Sequence, residues 1–568
     1  MCTVCGILTD DAGPSSIPRV LHMLRATRHR GPDACGLYGG ALIHAKTPEE
    51  LALKADGVPV RHIVLGQSRL AITGSNDARQ PLVSRDGRLA LAHNGEVYNH
   101  ESLRTLLPVD ARPTSGCDSD IVLAVLEEHY ASTRDLAEAM RRTVGAASGM
   151  YALAATDGST LVLARDAIGK KPLYYVDEAG TLAFASERKA LVDVARALSA
   201  TIRTLAPGWM LVRPVGGATR LIATERVAAP AIDITEMGPA VAAYEAALQR
   251  AIARRTRGLE RAAVFFSGGV DSVLVARLLQ RAGVETHGYV VGAADSSDVK
   301  YAIEVAHEIG LPITVTAVDE DLVAEWLPRI LAAAELHGPM MAEVSVPMWF
   351  AAKAAHEDGH RVVFTGQAAD ELFAGYDWYR GVVEKDGHLT LHARLWEDIL
   401  ALPVDTLERE DRISMAWSLE MRAPFLDADV IRTAMRIAPT LKLVDERDTL
   451  GKRPHRILAE RLGVPHSVAY RTKVPAQDGA SIHTLLERIA AREPGLVVGA
   501  GARVPDFGSN YRYRDAPGAY GTPLVRAYLA KVVERGGFVV ANADGTADVE
   551  SRRIEVAAPL SGKVHSPL

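Results

Sequence analysis

A cysteine follows the initiator methionine in Met1-Cys2, and far along the chain an apolar strand runs into Ser267-Gly268-Gly269-Val270-Asp271-Ser272. With Met1 removed, Cys2 would carry a nucleophilic sulfur and a free α-amine on one residue, so the general base need not come from elsewhere in the chain. The second run is a phosphate cradle: its glycines let backbone amides approach an anion, the helix behind it points its positive end there, and Asp271 can hold magnesium. No Gly-Lys-Ser/Thr follows, so it is not a Walker A loop.

Splitting a carboxamide through a thioester needs a nucleophile, a base and donors for the oxyanion. Asn94-Gly95-Glu96, read as a turn, offers a side-chain amide and a backbone N–H. An acidic residue would hold a substrate ammonium and a fixed arginine its carboxylate, with Asp118 and Arg69 as the candidates. Each signal is weak alone: Asn-Gly more often closes a hairpin, and Ser-Gly-Gly more often only turns a strand into a helix. Cys2 and Cys5 form a C-x-x-C, but no second pair or spaced histidines complete a tetrahedral site, and Cys5 reads as a small apolar residue on the buried face of the first strand. The four cysteines, Cys2, Cys5, Cys35 and Cys117, crowd into the first quarter of the chain, which argues against a disulfide framework.

The elements that must position these groups change character along the chain. At 568 residues it is too long for one core. Strands at His62–Gly66, Leu89–His93 and Thr160–Ala164, with a helix from Asp120 to Tyr130, predict a sheet-rich α+β domain over residues 2–210. A boundary follows the Pro214–Gly217 stretch, before a helix opening near Gly238-Pro239. From Ala262 apolar strands alternate with amphipathic helices through Thr365, the rhythm of a doubly wound α/β parallel sheet, placed at 235–480, with ligands beyond the C-terminal strand ends. Residues 481–568 read as a C-terminal extension, packed or a tail, holding one helix at Pro523–Arg535. A net charge of -6 without a basic block predicts small-molecule substrates and no nucleic acid. The absence of a basic leader or long apolar run predicts a cytoplasmic protein with no membrane role.

Taken together, the segments Arg28 to Asp33, Ser68-Arg69-Leu70-Ala71-Ile72, Gln80-Pro81-Leu82, Asn94 to Asn99, Ser115 to Asp120, Ala164-Arg165-Asp166 and Ala185 to Leu191 resemble the N-terminal-nucleophile glutamine amidotransferases, and specifically the glutamine-hydrolysing asparagine synthetase family. The resemblance runs to about residue 480. It implies a layered αββα glutaminase domain joined to an ATP-pyrophosphatase domain. Cys2 would be the nucleophile, Asn94 and Gly95 the oxyanion hole, and Arg69, Glu96 and Asp118 the glutamine-binding groups. Phe266, Ser267 to Ser272, Val291, Thr365 and Gly366 would line the ATP site, with Asp271 and Asp370 as magnesium ligands. The implied reaction takes ammonia released from glutamine to an acyl-adenylate, freeing AMP and pyrophosphate. The stretch Lys46 to Arg61 looks inserted and is expected to be a surface loop.

Two departures stand on the acceptor side. The second synthetase motif, Thr365 to Tyr376, has Gln367 where the family has glutamate. The family's adenylate-stabilising lysine falls on His455, leaving Lys452, His455 and Lys473 as candidates, with Pro454 set against an uninterrupted helix there. Arg422 would hold structure or a phosphate. Aspartate is the simplest acceptor; another carboxylate, a non-catalytic relative and a plain glutaminase stay open. The chain could also pair into a homodimer.

Overall fold

The computed structural model describes residues 2–13, 16–56, 58, 61–72, 79–113, 117–224, 229–293, 296–335, 339–472, 481–493 and 522–535. The chain divides into two compact units near residue 226.

In the first unit the strands are β1 (Thr3–Thr9), β2 (Ala34–Tyr38), β3 (Leu42–Ala45), β4 (Ile63–Arg69), β5 (Leu82–Val83), β6 (Ala90–Val97), β7 (Gly149–Thr156), β8 (Thr160–Arg165), β9 (Tyr174–Glu178), β10 (Thr181–Ala185), β11 (Arg203–Thr204), β12 (Trp209–Pro214) and β13 (Arg220–Ala223). They form two antiparallel sheets, β11-β9-β10-β1-β4-β2-β3 and β13-β12-β8-β7-β6-β5. The pleat explains the layers: β1 sends Val4 and Leu8 to the core between the sheets and Cys5 and Ile7 to the opposite face. There they meet Val20 and Leu24 of the helix Ser16–Ala26. On the far side, Leu89 and Leu91 pack on the helices Asp118–Thr133 and Leu136–Ala146. The result is the expected helix, sheet, sheet, helix sandwich.

In the second unit β14 (Arg261–Phe265), β15 (Glu285–Gly292), β16 (Ile313–Ala317), β17 (Val362–Phe364) and β18 (Glu420–Arg422) make a parallel sheet in the order β16-β15-β14-β17-β18. The order reverses between β14 and β17, so a crevice opens beyond their C-terminal ends. The loop at Ser267 leaves β14 there, and Thr365 leaves β17. Ile482–Arg492 and Pro523–Arg535 add Leu485, Leu486, Ile489, Val525 and Leu529 to this unit's core.

Two expectations change. Lys46 to Arg61 is not simply a surface loop: Pro48–Lys54 is helical, capped by the Thr47 side chain, because Leu51 has a fully buried place in the outer core. A first domain ending at residue 210 would cut β12, whose register with β8 from Met210 to Pro214 keeps the second sheet together through β13.

Candidate functional site

Cys2 is buried at the start of β1, and its backbone N–H donates to Asn94 Oδ1 at 3.0 Å. With its oxygen used, Asn94 leaves its buried Nδ2 without an acceptor among the described residues. An orphaned buried donor is uncommon and fits a site that receives an oxyanion. Burial pushes the Cys2 thiol above its ordinary range, while the Leu70 N–H and Arg69 oppose this and Asp118 adds to it. The thiol is therefore protonated at rest, and a nearby base must take its proton.

Asn94-Gly95-Glu96 is not a turn. It lies within β6, where Asn94, Gly95 and Glu96 stand opposite Ala152, Tyr151 and Met150 of β7. The reason is the glycine: at φ 141° a Cβ on Gly95 would sit 1.9 Å from Met150 O, so only a missing side chain lets the ladder continue. Asp118 opens the helix Asp118–Thr133, and its carboxylate accepts Val97 N–H at 2.8 Å and Ser119 N–H at 2.9 Å. Those bonds pin the acid to the end of β6, next to the buried Glu96. Arg69 is buried at the end of β4.

A buried scaffold behind these groups escaped the sequence reading. Arg30 Nε donates to Cys2 O at 3.3 Å, while its Nη1 donates to Glu187 Oε1 at 2.8 Å. Glu187 also meets His29 at 3.1 Å and Lys189 at 2.6 Å. Burial alone would raise this carboxyl, but His29, Lys189 and Arg30 hold it well below the usual range. Glu187 is thus a fixed anion that anchors the arginine gripping the nucleophile's own carbonyl. Both residues lie in the quoted segments, but nothing in their spacing pairs residues 157 positions apart.

In the second unit, Gly268 adopts φ 72° and approaches the helix Ser297–Glu308, where a Cβ would lie 3.0 Å from Ala302 Cα. Gly269 caps the helix Val270–Arg281, whose first turn carries Asp271. Gly366 brings the second loop against the first, since a Cβ there would lie 2.7 Å from Asp271 Cβ. Phe266 and Val291 are buried beside these loops at the ends of β14 and β15.

Of the three candidates, Lys452 and His455 both stand against Asp271. Lys452 Nζ lies 2.8 and 2.6 Å from the two oxygens of Asp271 and 2.9 Å from Asp370 Oδ1. It is 2% exposed. Burial works against its charge, but Asp271 and Asp370 outweigh it and the ammonium is held above its ordinary value. His455 is fully buried, with Nε2 3.0 Å from Asp271 Oδ1 and Nδ1 2.9 Å from Tyr244 Oη. Burial pulls its pKa down, while the neighbouring Asp271 opposes this. Pro454 does not break the helix Arg453–Arg461; it stands in its first turn, where no N–H is required, after Lys452 in the left-handed region at φ 52°. Arg456 holds that turn through the carbonyls of Gly451 at 3.0 Å and Leu450 at 2.7 Å. Lys473 lies outside the described residues. Arg422 is buried against Glu420 at 2.7 Å and the Arg255 carbonyl, a structural setting.

Residues 1–206 match the family described as Glutamine amidotransferase domain, and residues 243–493 the family described as Asparagine synthase. A candidate asparagine synthetase (glutamine-hydrolyzing) 1 of Methanocaldococcus jannaschii is 31% identical over 471 residues, covering 80% of this chain and 83% of the relative. Asparagine synthetase B (glutamine-hydrolyzing) of Escherichia coli (strain K12) is 27% identical, covering 87% and 85%. Among solved structures, glutamine phosphoribosylpyrophosphate amidotransferase from B. subtilis is similar at 21% identity and a TM-score of 0.34, over 57% of this chain and 67% of that one.

Proposed function

Because this chain belongs to the glutamine-hydrolysing asparagine synthetase family and is an ATP-dependent amidotransferase ligase, we propose that it converts aspartate to asparagine through a β-aspartyl-adenylate, using ammonia passed on from glutamine. At the first site, with Met1 removed, the Cys2 α-amine takes the thiol proton and the sulfur attacks the glutamine amide. Asn94 Nδ2 and the Gly95 N–H receive the oxyanion, ammonia leaves, and water resolves the thioester. Arg69 would grip the substrate carboxylate, with Glu96 and Asp118 on its ammonium.

At the second site the amides of Ser267 to Ser272 cradle the phosphates, and Phe266, Val291, Thr365 and Gly366 border the nucleotide. The acceptor carboxylate attacks the α-phosphate and pyrophosphate departs, with Lys452 stabilising the charge that develops. The observation that carries this half is the buried ammonium shared by Asp271 and Asp370 at the mouth of the phosphate loop. Two carboxylates already converging on one cation fit magnesium, which takes one or two carboxylates together with substrate phosphates. Asp271 and Asp370 would hold it, and it would neutralise the departing pyrophosphate. Gln367 favours a second reading, the same chemistry on a different carboxylate. The proposed setting is the cytoplasm; no helix among the described residues is long and apolar enough to cross a membrane.

The test is pyrophosphate release from Met1-processed protein with MgATP, glutamine and aspartate, with the product identified by mass spectrometry. Aspartate-dependent pyrophosphate with matching asparagine is expected. Cys2→Ala should abolish glutamine use and spare ammonia-driven synthesis, whereas Asp271→Ala should abolish both. Glutamine-driven synthesis by the Cys2→Ala protein would sink the two-site mechanism.

A further inference from the structure

The strand β6 has a full-length neighbour on one side and a short one on the other. β7 pairs with it from Ala90 to Val97, whereas β5, the last strand of that sheet, pairs with it among the described residues only at Ala90 and Leu91. Alternate residues of an antiparallel strand send their N–H and C=O to opposite neighbours. Tyr98 N–H goes to Ser148 O on the β7 side, and Leu89 O receives Ser84 N–H on the β5 side, each at 2.8 Å. His93, Gly95 and Val97 share the parity of Leu89, so their backbone groups face the side that β5 leaves beyond Leu91. An unsatisfied backbone group in a buried place is costly, so this edge must be closed by something other than a strand.

Side chains close it on both flanks of Gly95. Gln67, from β4 in the other sheet, sets its amide against His93 as a strand residue would: Oε1 accepts His93 N–H at 3.1 Å and Nε2 donates to His93 O at 2.5 Å. Asp118 caps the other flank, accepting Val97 N–H at 2.8 Å. The two caps are joined. Gln67 Nε2 also donates to Gln80 Oε1, Gln80 Nε2 donates to Ser119 Oγ at 2.7 Å, and Ser119 Oγ lies 2.8 Å from His93 Nδ1. Ser119 N–H then donates to Asp118 Oδ1 at 2.9 Å. Gln67, Gln80, His93, Ser119 and Asp118 are all buried, Gln67 completely. Glutamine is mostly a surface residue, and here one spends both N–H groups and its oxygen inside the fold.

We propose that Gln67 is a positioning residue for glutamine hydrolysis: its amide stands in for the missing strand at His93 and, with Asp118 at Val97, holds Asn94 Nδ2 and the Gly95 N–H where the oxyanion forms. The inference rests on reading Cys2 as the nucleophile and Asn94-Gly95 as its oxyanion hole. Oxyanion donors are effective because they are fixed before the charge appears and need no reorganisation when it does. Gly95 has no side chain to anchor it, so the position of its N–H depends on the residues either side. His93 is held from the front by Gln67 and from its ring by Ser119, and Asn94 follows it directly in the chain.

The test is Gln67→Met in the full, Met1-processed chain, a change that keeps side-chain length and removes the bonds to His93 and Gln80. Misplaced donors should lower the glutaminase kcat by about 10–10²-fold. Inhibition by glutamate, whose binding forms no oxyanion, and ammonia-driven synthesis should each change by less than about twofold. In an Asn94→Ala background the loss caused by Gln67→Met should shrink by about threefold or more, since both substitutions act on one hole. Amide hydrogen exchange reads the cap without catalysis: the β6 segment from His93 to Glu96 should exchange about tenfold faster or more in Gln67→Met. Gln80→Met, which leaves the His93 cap and cuts only its tether to Ser119, replaces Gln67→Met if the latter does not melt cooperatively, and should show a smaller loss of the same kind. Additive losses in the double variant, equal losses in glutaminase and synthesis, or unchanged exchange in β6 would overturn the assignment. Wild-type protein that hydrolyses no glutamine would count instead against the Cys2 reading, and the exchange comparison would still decide the cap.

Discussion

Replacing Lys442 by methionine should stabilise the second unit, by an amount that depends on pH. Lys442 ends the short helix Pro439–Lys442 and is 0% exposed. Its Nζ has Met435 Sδ at 4.0 Å and the Phe373 ring centroid at 5.9 Å, with no ion pair among the described residues. Burial without a counter-charge pulls the ammonium from 10.5 to about 7. A lysine whose folded pKa is depressed destabilises the fold fully below the folded value, and the cost fades as pH rises from about 7 to 10.5. At ~1.4 kcal/mol per pH unit, the full cost is about 5 kcal/mol. Methionine fills similar volume and buries no charge, so the variant should gain about 5 kcal/mol at pH 6 and about 2 kcal/mol at pH 9. At ~2–4 °C per kcal/mol, the shift in melting midpoint at pH 6 is roughly 10–20 °C. Scanning calorimetry of both proteins at the two pH values reads this out. An equal gain at both would mean that the ammonium is not the cause, and a loss at pH 6 would mean that it has a partner worth more than its desolvation.

Three further outcomes follow from the two sites. Gly95→Ala should lower soluble yield and melting midpoint and abolish glutaminase activity, because its Cβ would fall 1.9 Å from the Met150 carbonyl oxygen at a φ of 141°; ordinary stability would show that β6 and β7 do not approach this way. Asn94→Ala should cut the glutaminase kcat by about 10²–10³, the usual effect of losing an oxyanion donor, while ammonia-driven synthesis continues; equal losses in both assays would point to a structural role. Lys452→Met should destabilise by about 3–5 kcal/mol through the two carboxylates it abandons, and magnesium should restore more of that protein's melting midpoint than of the wild type's. No difference in the magnesium response would remove Asp271 and Asp370 as a shared cation site.

What could be read in advance were features with local causes. The αββα sandwich follows from period-two apolar strands such as β1, and the parallel sheet from strands alternating with amphipathic helices. Cys2 and the Ser267 loop were legible because their chemistry sits within one residue or one turn. Asn94-Gly95 misled for the same reason: as a dipeptide it is turn chemistry, and only the approach of β7 makes it a strand. The placement of Lys452 was closed to sequence reasoning, since it depends on a left-handed turn clamped by Arg456 that aims the amine at two acids 181 and 82 positions away.

The helix Glu408–Ala416 was the hardest to read because its groups pass for ordinary surface residues. Glu408-Arg409-Glu410-Asp411-Arg412 looks like a solvated charge run, the commonest meaning of such a stretch. In the fold all five are buried. Burial converts an uninformative pattern into an informative one, because five ionisable residues cannot all be taken out of water unless each finds a partner or awaits one. Among the described residues Arg412 has found its partners, and Arg409 and Glu410 have fewer. That inequality between neighbours on one helix is set by the packing of other helices around it, and only the distances between helices reveal it.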